Sequence, residues 1–120
     1  HVIKEAVLRA NLKPHDIKEV IMGCVLPAGQ GQAPARQAAI HADLPVATPC
    51  TTINKVCGSG MKAIMFAHDA IQIGSVDVVV AGGMESMTQA PYLLTKARQG
   101  CRLGHQEMFD HMMLDGLEDA

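Results

Sequence analysis

Tryptophan is absent from this chain of 120 residues, and its aromatic side chains amount to one Tyr and two Phe. A core with so few rings has to be assembled from Ala, Val, Ile, Leu and Met, small or pliable residues that let helices and strands approach closely. Apolar residues still make up 48% of the chain, enough for the core of one modest domain. Long apolar runs are missing: none approaches the roughly 20 residues of a membrane-spanning helix. No secretory pattern opens the chain. A basic stripe is missing too. Ten Lys and Arg stand against twelve Asp and Glu, a formal charge of −2, which argues against nucleic acid as the main partner. Finally, no Cys-x-x-Cys pair occurs. Cys24, Cys50, Cys57 and Cys101 are too sparse for a secreted disulfide framework and fit a reducing compartment.

What is present is an alternation of two periodicities. Residues 2–12 carry apolar side chains at Val2, Ile3, Ala6, Val7 and Ala10, the spacing of an amphipathic helix. Residues 19–26 are short, apolar and β-branched, which predicts a strand buried on both faces. Pro34 suits the first turn of a helix over 34–42, and 50–54 reads as a second strand. Cys57 to Ile73 reads as a mostly buried helix that Gly74 stops. A buried strand follows over 76–83, running into a glycine turn. After Pro91 the pattern weakens into a loop-rich excursion with a short helix near 107–114. Helix and strand in alternation imply an α/β fold with a mainly parallel sheet and covering helices. The chain begins with His1 and stops after an acidic Leu-Glu-Asp-Ala, so it reads as a piece of a longer protein.

Ligands of such sheets bind at the carboxyl ends of the strands. The stretch Asn54-Lys-Val-Cys-Gly-Ser-Gly60 lies there, between the strand 50–54 and the helix that follows it. A helix amino terminus offers unpaired N–H groups and a partial positive charge. A thiol at such a terminus tends toward the thiolate, its reactive form, and the same N–H groups can receive a developing oxyanion. Gly58 and Gly60 keep side chains out of the approach path and allow close helix packing. These features suit a nucleophile that forms a thioester; a small buried cysteine in a tight corner fits the local pattern equally well. Cys24 and Cys50, inside strand-like segments, read as buried small hydrophobes.

The stretches Thr51-Thr-Ile-Asn-Lys-Val-Cys-Gly-Ser-Gly-Met-Lys-Ala-Ile64, Gly29-Gln-Gly-Gln-Ala-Pro-Ala-Arg-Gln-Ala-Ala39 and Val78-Val-Val-Ala-Gly-Gly-Met-Glu-Ser-Met-Thr-Gln-Ala-Pro-Tyr-Leu-Leu94 resemble the thiolase family, in its order and spacing. Within it they are most similar to the members acting on acetyl-CoA. The resemblance implies a layered α/β fold of two similar halves with a loop domain inserted in the first. Residues 1–90 would be part of the amino-terminal α/β domain, and 91–120 the start of the inserted loop or tetramerisation region. It implies that Cys57 is the acylated nucleophile, with its own backbone N–H in an oxyanion hole. It implies Claisen condensation of two acetyl-CoA to acetoacetyl-CoA and coenzyme A, reversible by thiolysis. Coenzyme A is then carried by the substrates, and no metal or organic cofactor is needed for the chemistry. The family's first strand would precede His1. Its Gly-His-Pro histidine and Cys-x-Gly-Gly-Gly cysteine are not in this chain, and most coenzyme A contacts would lie beyond Ala120, so residues 1–120 alone are expected to be inactive.

The same resemblance puts Gln30, Gln32 and Arg36 near the dimer contact, and a homodimer or homotetramer is the expected assembly. A bacterial cytoplasm is the expected location, with a mitochondrial one open because a targeting segment could precede His1. A thiolase of longer chain preference and a non-catalytic assembly module on the same scaffold are the competing readings. Cys101, His105 and His111, with Asp110 nearby, fit no standard zinc spacing, and a solvated loop is expected there. Gly82 and Gly83 lack the surroundings of a phosphate loop. Glu85 and Ser86 behind them are expected to hydrogen-bond a turn.

Overall fold

The computed structural model describes residues 1–119. Its centre is a three-stranded parallel sheet of β1 (Glu19–Gly23), β2 (Cys50–Ile53) and β3 (Val79–Gly83), in the order β2-β1-β3. Val20 pairs with Cys50 on one side and Val80 on the other, and Gly23 with Ile53 and Gly83. The strands therefore end level, and the carboxyl edge of the sheet forms a shared floor.

Three helices cover the sheet: α1 (Val2–Arg9), α2 (Pro34–His41) and α3 (Ser59–Gln72). Strand alternation divides them between the two faces. Val20 and Met22 join Ile3 and Val7 of α1 and Ala35 and Ala39 of α2 in one core cluster. Gly23, one register step from Met22, faces Ser59 and Gly60 of α3 instead. As the middle strand, β1 is buried on both sides, with Val20 fully enclosed. The α/β architecture and the parallel sheet are those expected from the alternation.

Several expected boundaries and burials are corrected. β3 is only partly buried, because it is an edge strand with no further neighbour among the described residues. The helix expected from Cys57 starts at Ser59, with Gly58 as its N-cap, since Val56 turns into the left-handed region at φ 47° and delays the helical path. Nor is α3 mostly buried. Ser59, Ala63 and Ala67 face the sheet, while Met61, Ile64, Met65, Phe66 and Ile71 are exposed. Only small residues fit against the sheet at this distance, so the large apolar ones turn outward.

Beyond β3 the chain leaves the sheet. A two-stranded antiparallel ribbon, β4 (Tyr92–Leu93) with β5 (Phe109–Asp110), carries a loop between its strands. The short helix expected near 107–114 forms later than that: β5 occupies Phe109–Asp110, and the helical stretch starts at His111 and continues as a π-helical turn over Met113–Leu117. The radius of gyration, 17.3 Å, exceeds the roughly 14 Å of a rounded domain of this length because of this excursion. No helix of the described residues is long and apolar enough to cross a membrane.

Candidate active site around Cys57

The site is built from glycines that bring α3 down onto the sheet. A Cβ on Gly23 would lie 2.4 Å from the Ser59 carbonyl carbon. A Cβ on Gly60 would lie 3.5 Å from the Gly83 Cα. The first turn of α3 thus rests directly on the ends of β1 and β3, with no side chain between. Cys57, two residues ahead of that turn, is held at the carboxyl edge of the sheet.

The turn from β2 into α3 is held by its own polar groups. The Asn54 Oδ1 accepts from the Val56 N–H at 2.9 Å, an Asx turn. The Lys55 N–H donates to Ser59 Oγ at 2.8 Å, and that hydroxyl donates to the Val56 carbonyl at 2.6 Å. The Gly58 N–H reaches the Lys55 carbonyl at 3.1 Å and the Ser59 N–H the Val56 carbonyl at 3.0 Å. Among the described residues, the Cys57 N–H is the amide of the run 55–59 without such a partner. Val56 has positive φ, a costly conformation for a β-branched residue that persists only where its surroundings over-determine it.

The Cys57 thiol is exposed and opens onto two adjoining hollows. One, of about 140 Å³, is walled by Val25, Leu26, Met87, Met112 and Leu117. The other, of about 280 Å³, is walled by Gly23, Gly60, Gly83, Met84 and Glu85. Gly60 therefore lines a hollow as well as packing on Gly83. Gly58 stands closer to the turn, where a Cβ would be 3.4 Å from the Lys55 carbonyl oxygen.

Glu85 holds the opposite rim. Its carboxylate accepts from the Val25 and Leu26 N–H groups, each at 2.9 Å, so the chain after β3 ties down the chain after β1. The Cys24 thiol donates to the same carboxylate at 3.6 Å. Burial, with the Glu85 charge adding to it, pushes the Cys24 thiol above its ordinary range. Burial pushes Cys50 up as well, with Arg36 opposing and Glu19 adding. Cys24 is buried as expected, but Cys50 is only half-buried, because β2 is an edge strand.

The other anticipated residues fall elsewhere. Gln32 and Arg36 are exposed. The Gln32 carbonyl accepts from Gln37 at 2.6 Å, and Arg36 donates to the Val46 carbonyl at 3.1 Å. Cys101 and His105 lie exposed in the excursion, whereas His111 is buried. The solvated loop expected there is thus corrected at His111, whose ring is enclosed between Ala28 and Asp115. Among the described residues, no three His, Cys, Asp or Glu side chains are grouped to hold a metal ion.

Three contributors to the site were not singled out from sequence. Ser59 is the first residue of α3 behind the Gly58 N-cap, so the capping preference for serine, which concerns the N-cap itself, did not mark it. Gly23 carried a signal as a glycine inside an apolar strand, which marks close backbone approach. The strain at Val56 left no trace in residue type.

The family model for the thiolase N-terminal domain matches residues 1–120. The chain belongs to the thiolase family. Curated relatives of this thiolase domain include an acetyl-CoA acetyltransferase of Cupriavidus necator, 56% identical over 99% of the chain and 30% of the relative. Acetyl-CoA acetyltransferase 2 of Arabidopsis thaliana is 56% identical over 98% of the chain and 29% of the relative. A thiolase of Ascaris suum, solved in complex with coenzyme A, superposes with a TM-score of 0.93 at 44% identity, covering 98% of this chain and 30% of that one. The thiolase domain described here thus spans about 30% of the length of the curated relatives it matches.

Proposed function

We propose that the protein carrying this thiolase domain is an acetyl-CoA C-acetyltransferase in which Cys57 forms the acetyl-enzyme. One observation carries the reading: an exposed cysteine at the head of α3 whose backbone N–H has no partner among the described residues, in a turn whose other amides are bonded. The thiolate attacks the carbonyl carbon of acetyl-CoA, and the oxyanion that forms is stabilised by the Cys57 N–H. The C–S bond to coenzyme A breaks, coenzyme A leaves as its thiolate and takes a proton from an acid outside residues 1–120, and the acetyl group remains on Cys57. A second acetyl-CoA gives up an α-proton to a base from outside residues 1–120. Its carbanion attacks the acetyl-enzyme, and acetoacetyl-CoA leaves as the Cys57 thiolate is restored. Thiolysis is the reverse.

The names of the relatives and the coenzyme A held by the Ascaris suum structure support coenzyme A thioesters as substrates. We further propose that coenzyme A enters only with the substrates, and that the assembly is a homodimer or homotetramer using Gln32 and Arg36 at one contact and residues 91–120 at another. The bacterial cytoplasm is the proposed location. The test is to incubate the full-length protein with acetyl-CoA, quench in acid and measure the peptide containing Cys57 by mass spectrometry. One acetyl group on Cys57, removed by added coenzyme A, is expected. Acetylation confined to another residue, or none, would overturn the reading.

A further inference from the structure

His111 is buried at 4% exposure, whereas the other five histidines are exposed. Both of its ring nitrogens are committed. Nδ1 lies 2.5 Å from an Asp115 carboxylate oxygen, which can only accept, so Nδ1 carries the proton. Nε2 lies 3.4 Å from the Ala28 nitrogen, whose N–H can only donate, so Nε2 accepts. The neutral Nδ1–H tautomer therefore meets both neighbours. The backbone is tied too: the His111 N–H donates to the Pro91 carbonyl at 3.1 Å. One residue thus joins the loop after β1, the start of the ribbon and the π-helical turn.

That turn is a wall of the smaller hollow. Met112, Gly116 and Leu117 face Val25, Leu26 and Cys57 across about 140 Å³. The turn presses on the opposite side at its glycine, where a Cβ on Gly116 would come within 3.1 Å of Leu26 Cδ2. Asp115, inside the turn, bonds the ring that is itself bonded to Ala28, so the same link fixes the turn and the loop facing it.

We infer that His111 is a positioning residue that holds the Met112–Leu117 turn as a wall beside the Cys57 thiol and so limits the size of the acyl group that reaches it. The size limit on acyl groups rests on the thioester reading given above; the position of the wall does not. The His111 ring itself does not touch the acyl group. It acts through Met112 and Leu117, and without it the wall recedes from Leu26.

The test uses the full-length protein and its His111→Ala and His111→Gln variants. Cys57 labelling rates are compared for iodoacetamide and for the bulkier N-benzylmaleimide, and thiolysis for acetoacetyl-CoA and 3-ketohexanoyl-CoA. In His111→Ala the bulky-to-small labelling ratio should rise roughly tenfold, with a like shift in kcat/KM toward the longer substrate, whose acyl group carries two more methylenes; tenfold is about the lower end of what a single methylene is worth in an apolar pocket. His111→Gln, whose amide can still accept from Ala28, should restore most of both ratios. Should His111→Ala fail to fold, Asp115→Ala, which releases the ring without emptying its site, is read in the same way. Ratios unchanged in these variants while the melting temperature falls would overturn the inference. Absence of thiolysis in the unaltered protein would sink the thioester reading alone, because the labelling ratio still reports on the wall.

Discussion

The Ser59 hydroxyl donates to the Val56 carbonyl at 2.6 Å while accepting the Lys55 N–H at 2.8 Å. One buried oxygen thus closes the turn on both sides of the left-handed Val56 and presents Cys57 between. Ser59→Ala leaves the Lys55 N–H without its partner next to a strained residue, while the Val56 carbonyl keeps only the backbone N–H of residue 59. A loss of about 1–3 kcal/mol is expected, with slower acetylation of Cys57 because the turn can relax. Melting temperature and single-turnover acetylation of the full-length protein check this. Stability lost with acetylation unchanged would show that the turn holds its shape without the hydroxyl.

The glycines at the site divide into two kinds. Gly23→Ala drives a methyl to within 2.4 Å of the α3 backbone, and no flexible side chain is there to yield. Overpacking of about 1–3 kcal/mol or more is expected, and α3 must lift off the sheet. At Gly58 a Cβ would meet the Lys55 carbonyl oxygen at 3.4 Å and the Lys55 Cδ at 4.0 Å, and φ is −88°, so backbone strain does not forbid a side chain. Gly58→Val is therefore expected to keep most of its stability and lose activity by crowding the thiol. Thermal melts beside thiolysis assays separate the two. A Gly58→Val enzyme that is active but less stable would assign this glycine to packing.

Thiol chemistry should distinguish Cys57 from Cys24 and Cys50. Burial raises both of those thiols above their ordinary value of 9.0, so at neutral pH they are short of thiolate as well as of access. Brief iodoacetamide treatment should label Cys57 well ahead of either, and preferential labelling of Cys24 or Cys50 would count against the assignment. Stability follows from the same shifts. Above pH 9.0, where the unfolded thiols lose their protons, the folded ones keep theirs. The native state then binds more protons, so unfolding free energy falls as pH rises. The contribution is fully present below the unfolded value and is lost as pH rises through the folded ones. Urea midpoints from neutral to alkaline pH should show this decline, less steep in Cys24→Ala.

The alternation of elements was legible because each segment carries its own period: Ile3 and Val7 at helical spacing, Val20 to Met22 as a run only a doubly covered strand would bury. The place of Cys57, an exposed residue between β2 and α3, was legible because the change from strand period to helix period brackets it; its chemistry was not, since a small cysteine in a tight corner fits the same pattern. Other features depend on distant residues. His111 reads as one more polar residue in a mixed stretch until the fold brings Ala28 to its ring. Gly23 shows its purpose only when Ser59 lies against it. The helical pattern of α3 marked its apolar faces correctly, but a period does not say whether a neighbour covers them.

Those uncovered faces lead to the last prediction, for residues 1–120 expressed alone. Met61, Ile64, Phe66 and Ile73 stand 72%, 57%, 41% and 79% exposed along one helix and its end, an apolar surface that favours association. The edge strands β2 and β3 offer backbone groups for pairing on their outer sides. The isolated chain should therefore form oligomers or be poorly soluble, although its formal charge of −2 is ordinary. It should also be inactive in acetoacetyl-CoA thiolysis. Cys57 can offer a thiol, but the histidine and second cysteine that the family resemblance assigns to the chemistry are not among these residues. Size-exclusion chromatography and a thiolysis assay on the same sample test both expectations. A monodisperse monomer that turns over acetoacetyl-CoA would refute them together, since it would show that residues 1–120 cover α3 and supply the missing base themselves. A soluble but inactive assembly is what exposed helix faces and an unassisted thiol should give.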